Sequence, residues 1–268
     1  SPAGIIANLT NKNYLISGNA IAGAATLVKN GPGLLLLSGT NTYTGGTTIS
    51  GGTVLVNGNS AASTSLVTVS GNAIFGGTGS HGGTVLVNAG GRLAPGGMGV
   101  VGALTLTNNL ALNGGNVFYE LANSTGGTND FVAVGNTVYL TNANVILLSG
   151  AAPAGDYLLM SYAATNGPGT FALASSYPNT SLIINPTNLV LRVGAGGAVF
   201  GLTWKGNVSG TWDASALNWT NGIMATNFSL GDNVVFDDTL ANNPVVTNAT
   251  PGAVVLPGAV TFNNSLTN

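Results

Sequence analysis

Charge is what this chain has least of. Five Lys or Arg and seven Asp or Glu make 4% of its 268 residues charged and give a net charge of −2. An ordinary soluble domain carries about 25%. No basic patch is present to neutralise phosphates, which argues against nucleic acid as a partner. Cysteine is absent, so disulfides, thiolate metal sites and thiol nucleophiles are excluded together. A chain without Cys also suits export through an oxidising envelope. Long apolar runs are missing too. The longest candidates, Val138–Leu148 and Leu189–Phe200, are broken by Asn, Thr, Arg or Gly. Neither approaches the ~20 residues of a membrane helix, so this segment is not expected to insert in a membrane. Ser1-Pro2-Ala3-Gly4 has no basic start and no apolar core, unlike a signal peptide. The chain therefore reads as a mature fragment or an internal segment.

What is abundant is Gly, with 42 copies, together with Asn, Thr and Ser. Each Gly inside a helix costs about 1 kcal/mol relative to Ala. Between the glycines lie short aliphatic and β-branched runs: Leu34–Leu37, Thr47–Ile49, Thr53–Val56, Leu66–Val69, Thr84–Val87 and Ala103–Leu106. Most are closed by a residue tolerant of positive φ, so they read as strands. Gly51-Gly52-Thr53-Val54-Leu55-Val56-Asn57 returns unchanged as Gly82-Gly83-Thr84-Val85-Leu86-Val87-Asn88. Self-similar short strands over a few tens of residues are the sign of a solenoid, in which like side chains stack in rows. A β-sandwich is the rival fold, but its outer faces normally alternate with charge. Longer runs over 116–193 read as the same helix continued with wider coils. The chain also resembles itself at its two ends: Pro2–Asn13 and Pro257–Asn268 keep the order of Pro, aliphatics and Asn at an offset of 255 residues.

The stretch Leu27–Ile49 carries a more specific pattern. It holds Lys29, Gly31-Pro32-Gly33, the apolar run Leu34–Leu37, Ser38-Gly39, then Asn41-Thr42-Tyr43-Thr44-Gly45-Gly46-Thr47. This resembles the autotransporter-associated β-strand repeat, also called the passenger-associated transport repeat. The resemblance implies a right-handed parallel β-helix in a large exported bacterial surface protein. It is specific over about 30 residues. The segment from Trp204-Lys205-Gly206 to Asp237-Asp238 looks like a module that alternates with such repeats in very long surface proteins. The membrane barrel of a typical autotransporter is not seen in this chain, so its export route is open.

The expected architecture is thus all-β, a right-handed parallel β-helix over residues 1–200 followed by a small Trp-containing β module over 201–268. No catalytic, cofactor-binding or metal-ligating residue is assigned. Several groups still need weighing. Glu120 and Asp130 flank Gly126-Gly127 and could face each other as a glycosidase pair, which needs two carboxylates within reach of one bond. The blander reading is a corner Asp bonding loop amides, with Glu120 on an exposed strand face. His81, in Gly79-Ser80-His81-Gly82-Gly83, reads as a solvated loop residue, since one His makes neither a triad nor a metal site. Asp232, Asp237 and Asp238 are the densest acidic group, but their spacing matches neither an EF-hand nor a calcium-binding nonapeptide. Trp204, Trp212 and Trp219 could stack on sugars, although filling the junction between helix and module is favoured. The sequons at Asn8, Asn123, Asn207, Asn218 and Asn227 are expected by chance in an Asn- and Thr-rich chain.

The function these features point to is mechanical: an extracellular or bacterial cell-surface β-solenoid segment of a fibre or stalk, joined to copies of itself end to end. An adhesin that binds surface glycans through the Trp module is the alternative. A polysaccharide-degrading enzyme is the more remote one.

Overall fold

Strands form here because the aliphatic and β-branched runs are too short and too Gly-interrupted for helix, and each gains ladder partners from the coils above and below. A computed structural model describes residues 3–10, 12–121, 129–174, 180–194, 198–199, 202–212, 216–220, 225–226, 228, 233–237, 246–248 and 259–263. Three sheets wrap one core, and each coil contributes up to one strand to each. The first face stacks eight strands in order: Gly4–Asn8, Thr26–Asn30, Thr47–Ile49, Val67–Val69, Val85–Asn88, Leu110–Asn113, Thr137–Thr141 and Ala164–Asn166. The second face stacks Tyr14–Ile16, Leu34–Leu37, Thr53–Val56, Ile74–Gly77, Arg92–Pro95, Asn116–Leu121, Ala143–Ala152 and Thr170–Leu173. Every step along these two stacks is parallel; beside the second, Ala198–Val199 lies antiparallel to the end of Ala143–Ala152. This is the expected β-solenoid, of about eight turns.

Parallel pairing in register places inward residues in rows. One row on the first face runs Leu27, Thr47, Val67, Val85, Leu110, Val138. A row on the second face runs Leu35, Val54, Phe75, Leu93, Val117, Ile146. All of these residues are buried. At ~25 cal/mol per Å² of apolar surface, such rows supply the cohesion between coils.

A polar column climbs the corner after the first face. Asn30 Nδ2 donates to Asn8 Oδ1, 22 residues back, and Ser50 Oγ donates to Asn30 Oδ1, 20 back. Asn88 Nδ2 donates to Ser70 Oγ across 18 residues, Asn113 Nδ2 to Asn88 Oδ1 across 25, and Thr141 Oγ1 to Asn113 Oδ1 across 28. These intervals measure the coils directly. The later coils are wider, as their longer strands imply.

The third face begins later, with Asn59–Ser60, Ser80–His81, Ala103–Leu106, Phe131–Val134 and Gly155–Ser161. It ends differently. Asn188–Val193 lies antiparallel to Gly155–Ser161, and Thr180–Ile184 antiparallel to Asn188–Val193. Between Gly155–Ser161 and Asn188–Val193, Arg192 and Asp156 form an exposed ion pair at 2.7 Å.

The heptapeptide recurrence has a different meaning from the one its sequence suggests. Thr53–Val56 lies on the second face and Val85–Asn88 on the first, so the two copies do not stack. Both faces accept the same alternation, burying Val54 with Val56 and Val85 with Val87. Their glycines serve different ends. Gly52 has φ +66°, and a Cβ there would meet two carbonyls and the Lys29 ammonium. Gly83 has no positive φ, but a Cβ would run into the backbone of Ser65.

Beyond the solenoid a fourth sheet orders Ala225–Thr226, Trp219–Thr220, Leu202–Trp204, Asn233–Asp237 and Ala259–Asn263, and Thr211–Trp212 pairs with Thr247–Asn248. Its core is its own: Leu202, Trp204, Trp219, Phe228, Val234 and Phe236 form a buried cluster separate from the solenoid core.

Candidate functional site

The acidic pair singled out in the sequence is brought together, but inside the protein. Glu120 and Phe118 lie on the outer side of the strand Asn116–Leu121, while Val117 and Tyr119 belong to the solenoid core. The loop between Pro95 and Ala103 covers that outer side: Met98 packs on a small cluster of Ala94, Phe118 and Leu147. Two carboxylates tie the loop down. Glu120 Oε1 accepts the Gly99 N–H. Asp130 Oδ1 accepts the Gly102 N–H at 2.7 Å, and its Oδ2 accepts the Glu120 N–H at 2.8 Å. The expectation of a corner Asp bonding loop amides therefore holds for Asp130. Glu120 does point outward, but the loop buries it instead of leaving it exposed.

Burial raises the Asp130 carboxyl to about 8, with the neighbouring Glu120 charge adding to the rise and the two backbone amides opposing it. Desolvation also pushes the fully buried Tyr119 phenol well up, with Asp130 contributing. A raised carboxyl beside a second one has the electrostatics of an acid catalyst. The geometry differs from a catalytic cleft: Asp130 is fully buried, Glu120 nearly so, and both are engaged with backbone amides. The arrangement is a clasp that fixes a Gly-rich loop.

His81 is not a loop residue. It occupies the strand Ser80–His81, in register with Ser60 and Leu106 of the adjoining coils, and is buried. Its Nε2 lies 2.9 Å from the Ser65 carbonyl, and its ring meets Phe75 edge-on at 6.0 Å. Burial depresses its pKa. The flanking glycines disguised it: they permit close coil stacking here, since a Cβ at Gly82 or Gly83 would strike backbone carbonyls.

Lys29 is the buried cation that sequence reading passed over as a family marker. It sits on the inward row with Ile49 and is fully buried. Its ammonium donates to the carbonyls of Gly31 at 2.7 Å, Gly51 at 3.0 Å and Asn30 at 3.1 Å. Desolvation lowers its pKa. The motif's Lys is thus a clamp joining two successive turns.

Trp204 and Trp219 are fully buried, with ring centres 4.9 Å apart, and Trp212 packs edge-on against Trp219 and Phe228. Stacking on a sugar needs one ring face in solvent, and only Trp212 retains exposed surface. The three fill the module's own core, whereas the sequence suggested the junction with the solenoid. Asn218 is likewise buried, its side chain bonded to Val208, Ser209 and Thr211, so its sequon is inaccessible. Among the described residues no group of three or more His, Cys, Asp or Glu gathers for a metal. Asp232, Asp238, Asn123, Asn227 and the Gly126-Gly127 turn lie outside the described residues.

An almost uncharged parallel solenoid, in which the buried Lys29, Asn41, His81 and Asp130 bond to its own backbone, defines a scaffold of stacked coils. Residues 27–56 match the family described as passenger-associated-transport-repeat, so the chain carries an autotransporter-associated repeat. Over 80 residues it is 32% identical to the adhesin BmaC autotransporter of Brucella suis biovar 1, a match spanning 30% of this chain and 2% of that adhesin. Family and relative fit a surface passenger segment.

Proposed function

We propose that this chain is a rigid spacer in the exported passenger of a bacterial surface protein, holding adhesive or other elements away from the cell and joining like units end to end. The observation that carries this reading is the unbroken parallel stack of the first face, eight strands with continuous inward rows. A stack of that kind resists bending, because each coil is hydrogen-bonded and packed only to its neighbours. The near absence of charge removes repulsion between units placed in line. The likeness to a passenger repeat supports export, and the buried clasp at Glu120 and Asp130 supports a scaffold rather than a polysaccharide-cleaving site. Two measurements test it. Antibodies against this chain should label intact cells of the source bacterium, and electron microscopy of the parent protein should show thin rods. Labelling only after lysis, or dispersed compact particles, would overturn the proposal.

A further inference from the structure

The strand Ala259–Asn263 answers to Gly4–Asn8 in more than sequence. At the offset of 255 residues, Ile5 corresponds to Val260, Ala7 to Phe262 and Asn8 to Asn263. In the solenoid Ile5 and Ala7 stand in register with Leu27 and Lys29 on the core side. In the module Val260 and Phe262 stand in register with the buried Val234 and Phe236. The side that faces inward is therefore the same in both strands, although different partners define it. Direction agrees too: Leu202–Trp204, Asn233–Asp237 and Ala259–Asn263 are mutually parallel, as the first face is throughout.

Each of these strands is an outer strand of its sheet among the described residues, and each leaves core-side surface open. Phe262 is 72% exposed although its ring stacks on Phe236 at 5.3 Å. At the other end, Tyr14 stands in register with the buried Leu35 yet is 56% exposed. Beside it opens a groove of about 440 Å³ lined by Ile5, Leu9, Tyr14, Ile16 and Leu35 among others. Among the described residues, one end thus offers the exposed apolar row of Val260 and Phe262, and the other an open groove beside its first coil.

We infer that Ala259–Asn263 is the first coil strand of a following unit of the same kind. The module's sheet then passes without a break into that unit's first face: Asn233–Asp237, Ala259–Asn263, then the next Thr26–Asn30. This deepens the end-to-end reading above and rests on it. It also fixes the register, with Val260 against the next Leu27, Thr261 against the next Val28, and Phe262 covering the stem of the next Lys29. The strand Gly4–Asn8 receives the Asn233–Asp237 strand of a preceding unit in the same way, closing the groove.

The test is a tandem chain in which residues 1–268 run directly into a second unit beginning at Tyr14. Because the protein has no cysteine, Thr261→Cys in the first unit and Val28→Cys in the second report only on each other. Both positions point outward, and neighbouring parallel strands lie about 4.8 Å apart, within disulfide reach. Mild oxidation should close this pair at least tenfold faster than Thr261→Cys with Asn30→Cys, which is two residues out of register. The pair Ile6→Cys with Val28→Cys, inside the first unit, has the same geometry and shows that the fold is intact. Closure of that control without closure across units, or equal rates for the two inter-unit pairs, would overturn the inference. Rods that form with the wrong pair closing would contradict the register while leaving end-to-end assembly standing.

Discussion

Asp130 accepts the backbone N–H of Glu120 at 2.8 Å and that of Gly102 at 2.7 Å, while Glu120 accepts the N–H of Gly99, so two acids ten residues apart hold one loop at two points. With the Asp130 carboxyl at about 8 against an ordinary 3.8, the folded state binds its proton more tightly than the unfolded chain does. The stability this contributes is fully present below about pH 4 and is lost as pH rises to about 8. Denaturant unfolding followed by circular dichroism should show that decline. Glu120→Gln, whose Oε1 still accepts from Gly99, removes the charge that helps raise Asp130 and should move the decline to lower pH.

His81 titrates with the opposite sign. Burial depresses its pKa, so the folded state favours the neutral ring. Its contribution is present above the ordinary value of 6.5 and is lost as pH falls through the folded value. His81→Phe should abolish this acid-side slope. His81→Ala should cost roughly 2–4 kcal/mol, through the cavity beside Phe75 and the lost bond to Ser65.

Lys29→Met should destabilise the first turns by roughly 2–5 kcal/mol, because it leaves three carbonyls without their shared donor. Gly52→Ala should be comparably harmful, since its Cβ meets the same ammonium at 2.7 Å in a backbone of positive φ. Gly46→Ala is the contrast: its Cβ would come no nearer than 3.8 Å to the Leu66 carbonyl. Thermal unfolding of the three variants should rank Gly46→Ala close to the parent and the other two well below it.

Trp219→Ala should unfold the module and spare the solenoid, because the two cores are separate. Truncating a buried Trp costs about 3–5 kcal/mol. Loss of the near-ultraviolet Trp signal with the far-ultraviolet β signal retained is the expected result.

Much of this architecture was legible in Leu27–Ile49, where two successive strands of the first face, the second-face strand between them and the connecting turns fall within a single motif. The widening of the coils was legible in the longer strands after residue 116. Stacking order was not. The repeated heptapeptide lies on two faces, because inward alternation is the same requirement on each and sequence identity says nothing about which face is filled. His81 and Glu120 were misjudged for one reason: their burial comes from chain distant in sequence, the Ser65 turn and the Gly96–Gly102 loop. Glycine next to a polar residue reads as an exposed turn, yet in a solenoid it is also the residue that lets one coil approach another. The Trp residues were rightly read as core, but which core depended on strands far along the chain.

The parallel, in-register stack is tested most directly by a distance. Thr48, Thr68, Leu86, Ala111 and Tyr139 stand in successive register on the first face. Four steps of about 4.8 Å place Thr48 and Tyr139 roughly 19 Å apart. Spin labels at these two positions, measured by pulsed electron resonance, should give one narrow distribution near that value. A distribution centred beyond roughly 30 Å, outside any four-step stack of strands, would contradict the fold and the rod built on it.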